Sequence, residues 1–307
     1  MGRAFSLRIK QIQETKIRWG YNSSKKQLDA TLIFSFVTRM ITLGGKVGAY
    51  MKEIILRQSW INNFLRCPEQ ARQERLKLVS QKQTSDLLRG NAVHAAIEWA
   101  GLIKQGGEEE VTLEELLDVS DNFLADNGHT IDVWRHNYED IVDVCRANLV
   151  AWYEEIFPIL HPQAVEETFK KSMGIRHGVN LILQGTADWI DESGVIWDWK
   201  NPSRHYAAWE KKRWDIQSHA YTWAYDKEQF NLCVMADGKI QVIEIPRSPE
   251  QKKAFIELCW SIVPTLLTID DAVTWPQNWE GWHCSPLWCP VWQANKCRGA
   301  ILGDNPW

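Results

Sequence analysis

The sequence contains no apolar run long enough to cross a membrane. Its most apolar stretch, residues 32–37, is soon followed by Arg39 and Lys46, whereas a membrane span needs about 20 mostly apolar residues. The small-residue cleavage pattern of a secretory signal is also lacking. The seven cysteines are odd in number, which argues against a disulfide framework. We therefore expect a reducing, cytoplasmic setting in which cysteines are core residues or metal ligands.

An excess of positive charge is also missing. The chain holds 35 Lys and Arg against 39 Asp and Glu, a net charge of −4, which argues against a protein that coats nucleic acid. Nine of the basic and two of the acidic residues lie in residues 1–50, which leaves 26 basic and 37 acidic residues for the remainder. No helicase motif and no groove-reading module are visible, so any unwinding would need a partner protein.

Tryptophan, by contrast, is abundant, with 18 residues. Packing in the core is the simpler explanation for most of them. The alternative is that a few stack on unpaired bases of a nucleic acid. The tryptophans nearest the motifs described below are Trp189, Trp197, Trp199, Trp209, Trp214 and Trp223.

A predicted β-hairpin carries the most informative residues. Two apolar runs, residues 181–190 and 194–199, flank an Asp-Glu-Ser-Gly turn, which is typical of a hairpin. Asp188 lies on the first arm, and Asp198 and Lys200 end the second. Because Asp198 and Lys200 are two apart, they project to the same face of a strand. Two carboxylates and an ammonium so placed can bind a hard divalent cation beside a proton-handling group.

A helix is predicted shortly after the hairpin. Gln217 and Tyr221 are one helical turn apart and share a face. The basic cluster Lys211, Lys212 and Arg213 lies between the hairpin and this helix. Such a cluster could line a groove for the DNA backbone; its alternative interpretation is a solvated helix face.

This order of residues resembles the RecB-like exonuclease branch of the PD-(D/E)XK nuclease superfamily. In that branch a Gly-x-x-Asp strand precedes Asp-x-Lys, and Gln-x-x-x-Tyr follows on a helix. The matching residues are Gly185, Asp188, Asp198, Lys200, Gln217 and Tyr221. The resemblance implies an α/β fold with a restriction-endonuclease-like core, in which helices flank a mixed central β-sheet. We also expect a helical insertion and a C-terminal loop that binds a metal cluster.

The resemblance also implies a metal site. The segment Gly90 to Glu98 matches the family's Gly-x-x-x-His-x-x-x-Glu helix, which we expect to start near Thr84 or Ser85. In the family its histidine, here His94, approaches the metal, while Glu98 would only orient neighbours. His94, Asp188, Asp198 and the Trp199 backbone carbonyl would thus hold Mg²⁺ or Mn²⁺.

The family often has an acidic residue on the strand that precedes the hairpin. Residues 164–173 alternate as a strand, and Glu166 or Glu167 could fill this position. Because the side-chain period of a strand is two, one of them at most faces the site. We favour Glu166 as a further candidate metal ligand; its alternative is an exposed strand charge.

The remaining motif residues have expected catalytic roles. Lys200 would orient or deprotonate the attacking water, or neutralise the charge of the transition state. Gln217 and Tyr221 would position the phosphate backbone or support Lys200.

Four cysteines suggest a second metal centre. Helper exonucleases of RecB type and the CRISPR-associated four-cysteine nucleases carry one upstream and three C-terminal cysteines, which hold a [4Fe–4S] cluster. Cys67, Cys284, Cys289 and Cys297 reproduce that division, although their C-terminal spacing departs from the commoner Cys-x2-Cys-x5-Cys form. A structural Zn²⁺ site, in which His283 could replace one ligand, is the alternative.

We expect three regions along the chain. Residues 1–50 would be a dispensable or poorly ordered extension, with a basic arm that touches DNA as the alternative. Residues 51–303 would form the nuclease domain, in which 106–160 is the helical insertion and 280–300 the iron–sulfur loop. A helix with Ser59 as its N-cap should open this domain.

These motifs predict a metal-dependent DNA exonuclease that acts on single-stranded ends. The alternative is a weakly active or inactive DNA-binding subunit of a recombination or CRISPR-adaptation complex. A helicase, or another protein of recombination, repair or CRISPR adaptation, would be a compatible partner. No membrane partner is expected.

Overall fold

The computed structural model describes residues 51–107, 110–270, 272–278, 280–281 and 283–297. The expected extension, residues 1–50, lies outside the described residues. Residues 298–303, at the end of the expected nuclease domain, also lie outside them. The division of the chain into domains therefore stays a prediction.

Six strands form one mixed sheet. The strands are β1 (Lys52–Leu56), β2 (Pro162–Arg176), β3 (Val179–Asp191), β4 (Ile196–Lys200), β5 (Gln229–Ala236) and β6 (Lys239–Pro246). The described helices are α1 (Gln58–Arg66), α2 (Pro68–Arg75), α3 (Ser85–Gly106), α4 (Leu113–Asn127), α5 (Tyr138–Glu155), α6 (Ala208–Trp214), α7 (Ile216–Ala224), α8 (Pro249–Leu267) and α9 (Pro290–Gln293). A short 3-10 helix, Gly128–Thr130, follows α4.

Strand β3 is the centre of the sheet. It pairs in parallel with β1 and antiparallel with β2 and β4. Strand β4 then pairs in parallel with β5, and β5 antiparallel with β6. The predicted hairpin of β3 and β4 is confirmed, and β5 and β6 form a second hairpin. The turn between β5 and β6 is Asp237-Gly238, whose φ angles of 53° and 66° are the positive values that a tight two-residue hairpin turn requires.

Helices cover both faces of the sheet, as expected. On one face, α3, α4 and α5 build a core that includes the fully buried rings of Trp152, Trp189 and Trp199. On the other face, α1, α7 and α8 pack through residues such as Tyr221 and Phe255. Because both faces are covered, the short strand β4 is buried over nearly its whole length, which is usual for strands with parallel neighbours.

Local signals set most of the helix ends. Helix α3 begins where expected, because the Thr84 hydroxyl accepts from the Leu87 N–H, and it ends at Gly107 in the left-handed region. The N-cap expected at Ser59 is wrong. Strand β1 ends at Leu56, and α1 starts after the single residue Arg57, which makes no side-chain cap.

None of the helices in the described ranges has both the length and the apolar character of a membrane span.

Candidate active site

Asp188 and Asp198 lie on the neighbouring strands β3 and β4. The Asp198 side chain is 1% exposed, and Asp188 Oδ2 accepts a hydrogen bond from the Trp199 backbone N–H at 3.1 Å. This bond ties Asp188 to the strand that carries Asp198. The hairpin itself therefore sets the relative positions of the two carboxylates.

Asp198 has two polar partners. Lys200 Nζ lies 2.5 Å from Asp198 Oδ2, and the Gln217 side-chain amide donates to Oδ1. The Lys200 contact is an ion pair, and opposite charges this close attract strongly whatever their angle.

His94 lies on α3 and reaches the same strand. Its Nε2 is 2.7 Å from the Trp199 carbonyl oxygen, and its Nδ1 is 3.5 Å from Asp188 Oδ2. Since a carbonyl only accepts, Nε2 carries a proton in this arrangement. The structure thus brings together His94, Asp188, Asp198 and the Trp199 carbonyl. The family resemblance implied that these four groups form one site.

Glu166 lies opposite Asp188 across the β2–β3 pairing, because the residues on either side of Glu166 pair with those on either side of Asp188. Its φ of 49° is rarely adopted by a residue with a side chain, and such strain is often found at functional sites. Glu166 is half-buried, whereas Glu167 is exposed. Glu166 is therefore the acidic residue of β2 that lies by the site.

The surroundings of Glu166 are strongly acidic. Burial raises the pKa of Glu166 to about 7, and the carboxylates of Asp188, Glu98 and Asp198 add to the rise. Glu98 thus lies near enough to influence the site, although no hydrogen bond joins it to the other candidates within the described residues. At neutral pH, Glu166 is poised between its charged and neutral forms.

A pH-dependent stability difference should follow for the metal-free protein. The raised pKa of Glu166 means that its contribution to stability is full below about pH 4.5 and is lost as the pH rises through about 7. Glu166→Gln cannot ionise, so it should raise the free energy of unfolding at pH 8 by about 1–2 kcal/mol. This is less than the full shift would give, because the group is only half-buried.

Urea unfolding in EDTA at pH 4.5 and pH 8 measures this difference. The matched control is Glu167→Gln on the exposed face of the same strand, which should change stability little at either pH. If Glu166→Gln and the parent protein are equally stable at pH 8, the acidic surroundings described for Glu166 are wrong.

Lys200 and Asp198 influence each other's ionisation. Burial raises the pKa of Asp198, and Asp188 adds to the rise while Lys200 opposes it. Burial alone would lower the pKa of Lys200, but the Asp198 and Asp188 carboxylates outweigh it and raise that pKa. Lys200 is therefore held as a cation at neutral pH. This favours neutralisation of charge over deprotonation of water, since a general base needs a neutral amine.

Tyr221 lies beneath the site and is 5% exposed. Its ring packs edge-on against Phe169, with 5.7 Å between centroids. A Cβ at Gly185 would come within 2.9 Å of Phe169 and 3.1 Å of Tyr221, so the motif glycine makes room for both rings. Burial raises the pKa of the Tyr221 hydroxyl. Gln217 thus contacts Asp198, and the expected roles of Gln217 and Tyr221, in positioning the phosphate backbone or supporting Lys200, stay predictions.

Tyr206 is a neighbour of the site that sequence reasoning missed. Its backbone N–H and carbonyl both bond to the Gln241 side chain of β6. Its ring lies near enough to Lys200 and Asp198 for their charges to influence its pKa, which burial raises. No recurring motif contains this position. An aromatic residue in the short β4–α6 connection is the sole local signal we can identify.

Arg247 was also missed. It is 3% exposed and donates to the Lys212 carbonyl at 2.7 Å and to Ser218 Oγ at 3.0 Å. These hydrogen bonds hold the junction between α6 and α7 in place. Helix α7 carries Gln217. No local pattern marks this role, because the partners lie about 30 residues away in the chain.

The basic cluster occupies α6. Lys211 is half-buried, and its Nζ lies 4.1 Å from the centroid of the Tyr206 ring. Lys212 and Arg213 are exposed. The cluster therefore lies on a short helix between β4 and α7, the two elements that carry Lys200 and Gln217.

Cys67, Cys284, Cys289 and Cys297 line a single pocket, which His283 also lines. All four are free thiols. Burial raises the pKa of Cys284, and the other three cysteines add to the rise. The start of α2 and the segment around α9 thus line the same pocket. Cys233 and Cys259 are fully buried core thiols.

Within the described ranges, no group of three or more His, Cys, Asp or Glu side chains is arranged to hold a metal ion. At the candidate active site, His94 and Asp188 contact the Trp199 backbone, and Asp198 contacts Lys200 and Gln217. The donor chemistry nevertheless fits a hard cation. Several carboxylates surround the single ammonium of Lys200, and the uncompensated negative charge contributes to the raised pKa of Glu166.

A family model of the PD-(D/E)XK nuclease superfamily matches residues 57–280. That range contains every residue of the candidate active site and Cys67, and it ends before the three C-terminal cysteines. A search of curated proteins found no match.

Two solved structures are similar over most of the chain. The crystal structure of SSO0001 is 14% identical, covers 79% of this chain and 96% of its own, and has a TM-score of 0.35. A protein from Eubacterium rectale named "putative exonuclease" is 12% identical, covers 85% and 93%, and has a TM-score of 0.49. At such identities and scores we draw no argument from either structure.

Proposed function

The chain belongs to the PD-(D/E)XK nuclease superfamily, and from that membership we propose that it is a metal-dependent DNA exonuclease of the RecB-like branch. It hydrolyses phosphodiester bonds at single-stranded ends. The observation that carries this proposal is the convergence of Asp188, Asp198, Lys200 and His94 on the β3–β4 hairpin, with Gln217 bonded to Asp198.

The residues that would hold Mg²⁺ or Mn²⁺ are His94, Asp188, Asp198 and the Trp199 carbonyl, with Glu166 as a further ligand. Such a cation supplies an activated water and stabilises negative charge on the scissile phosphate when bound. Its binding through the unprotonated Nδ1 of His94, which lies 3.5 Å from Asp188 Oδ2, would leave the Nε2 bond to the Trp199 carbonyl in place. It would also favour the ionised form of Glu166, whose pKa is otherwise raised to about 7.

The side chains of the protein have separate tasks in this proposal. Lys200, held as an ammonium by Asp198 and Asp188, neutralises charge that develops on the phosphate oxygens. Gln217 fixes Asp198 through its amide, and the buried ring of Tyr221 packs against Phe169. In the reaction, a water oxygen bonds to phosphorus as the ester P–O bond breaks, and the departing oxygen takes up a proton.

Nuclease activity on end-labelled single-stranded DNA tests the proposal. We expect progressive shortening from an end with Mn²⁺ or Mg²⁺ and none with EDTA. A circular single strand, which has no ends, should resist. Folded protein that binds DNA without cutting it under all these conditions would overturn the exonuclease proposal and favour a DNA-binding subunit.

The cysteine pocket supports a second part of the proposal. Cys67, Cys284, Cys289 and Cys297 line the same pocket, and four thiolates are the ligand set of a [4Fe–4S] cluster or of structural Zn²⁺. We favour the cluster, which would join α2 to the C-terminal segment and act structurally. Bound metal would hold the cysteines deprotonated, against the raised pKa values of Cys284 and Cys289.

Anaerobic purification provides the test. We expect brown protein with about four iron and four sulfide per chain. Cys297→Ser should lose the colour and unfold at a lower temperature, whereas Cys259→Ser, in the core away from the pocket, should keep the colour. Colourless protein with one zinc per chain would replace the cluster with the zinc site, and protein without either metal would refute both.

A further inference from the structure

Helix α6 exposes two large aromatic rings. Trp209 is 63% exposed and Trp214 is 62% exposed. The tryptophans of the adjoining hairpin behave differently, since Trp189 and Trp199 are 1% exposed or less. A helix of seven residues with an exposed tryptophan near each end presents much of its surface to solvent as aromatic ring.

Basic side chains interleave with these rings. Arg213 lies one turn after Trp209 on the same face of the helix, and its guanidinium is 4.5 Å from the centroid of the Trp214 ring. Lys212 is exposed beside them. Among the exposed charged side chains of α6, Lys212 and Arg213 are basic and Glu210 is acidic, so the exposed surface of the helix is net positive although the whole chain carries a charge of −4.

The opposite side of α6 is anchored at the active site. Lys211 packs over the ring of Tyr206, which in turn lies near Lys200 and Asp198. The carbonyl of Lys212 is held by the buried Arg247. The exposed rings are therefore carried by a fixed helix that starts eight residues after Lys200 and ends three residues before Gln217.

We propose that Trp209, Lys212, Arg213 and Trp214 form a stacking platform for the unpaired bases of single-stranded DNA next to the active site. This proposal deepens the exonuclease function and rests on it. Aromatic rings stack on bases of any sequence, while basic side chains contact the phosphates. In a duplex the bases are already stacked on each other, so the platform favours strands with unpaired bases.

Equilibrium binding without catalysis tests the platform. Anisotropy of labelled oligo(dT) in EDTA measures affinity for bases and backbone together, and an abasic strand of equal length measures the backbone alone. We expect Trp209→Ala and Trp214→Ala each to weaken oligo(dT) binding about tenfold, equivalent to about 1.4 kcal/mol. Binding of the abasic strand and of blunt duplex should change less than about twofold.

Conservative and distant variants provide the controls. Trp209→Phe and Trp214→Phe keep an aromatic face and should retain most of the affinity. Trp134→Ala removes a tryptophan that is 44% exposed elsewhere and should change nothing. Arg213→Ala should weaken oligo(dT) and abasic strands alike and make binding less dependent on salt.

Equal losses on oligo(dT) and on the abasic strand would overturn the platform, as would unchanged oligo(dT) binding in the two alanine variants. These binding results are separate from hydrolysis. If the parent protein cuts no DNA while the tryptophan effects are found, the exonuclease function fails and the platform stands. Hydrolysis without the tryptophan effects gives the reverse conclusion.

Discussion

Asp198→Asn is expected to lower the rate of DNA hydrolysis by roughly 10³-fold, equivalent to about 4 kcal/mol of transition-state stabilisation. The substitution keeps the size of the side chain and an oxygen that can accept from Gln217. It removes the negative charge that faces Lys200 at 2.5 Å and that we propose as a metal ligand.

The measurement is the single-turnover rate on end-labelled single-stranded DNA at saturating Mg²⁺, with DNA affinity measured in parallel. Affinity in EDTA should change little, because Asp198 is buried away from the surface of α6. Asp118→Asn, an exposed carboxylate of α4, is the matched control and should retain the parent rate. Cleavage by Asp198→Asn at the parent rate would refute the assignment of the active site.

Lys200→Met is expected to affect both catalysis and stability. Loss of the ammonium should slow hydrolysis by about 10²–10³-fold, as when one charge-stabilising donor is removed from an active site. In metal-free protein it also leaves Asp198 buried without its ion-pair partner. We therefore expect the free energy of unfolding to fall by about 3 kcal/mol, since breaking one side of a buried pair strands the other charge.

A double variant separates these two effects. Lys200→Met combined with Asp198→Asn leaves no charge of the pair buried, so stability in EDTA should return to within about 1 kcal/mol of the parent while activity stays absent. Lys253→Met removes an exposed lysine of α8 and should leave both properties unchanged. If the single and double variants are equally destabilised, the ion pair does not contribute as described.

Much of the fold could be predicted because its signals are local. The hairpin of β3 and β4 follows from two apolar runs around a turn, and period two places Asp198 and Lys200 on one face. The start of α3 follows from a threonine cap. The start of α1 could not be found in this way, because the end of β1 at Leu56, rather than a capping side chain, determines where that helix begins.

The sequence named candidate members of the active site but not their contacts. Ordered motifs named Asp188, Asp198, Lys200, Gln217 and Tyr221. The structure adds that Gln217 donates to Asp198 and that Lys200 is held as a cation. A motif specifies which side chains are present, whereas a pKa depends on burial and on charges that come from other strands and helices.

The sequence by itself determined which reactive side chains this protein carries. They are two carboxylates, a lysine, a histidine and four cysteines in a recognisable order. Tertiary structure alone decided which of them meet. Glu166 faces Asp188 because β2 pairs with β3 in one register, and Cys67 meets Cys297 because the ends of the described fold pack together. Likewise, Trp189 and Trp209 are the same residue type. One is covered by helices packed on the sheet and the other remains on a solvent-facing helix, because burial depends on how distant elements pack and not on the residue type.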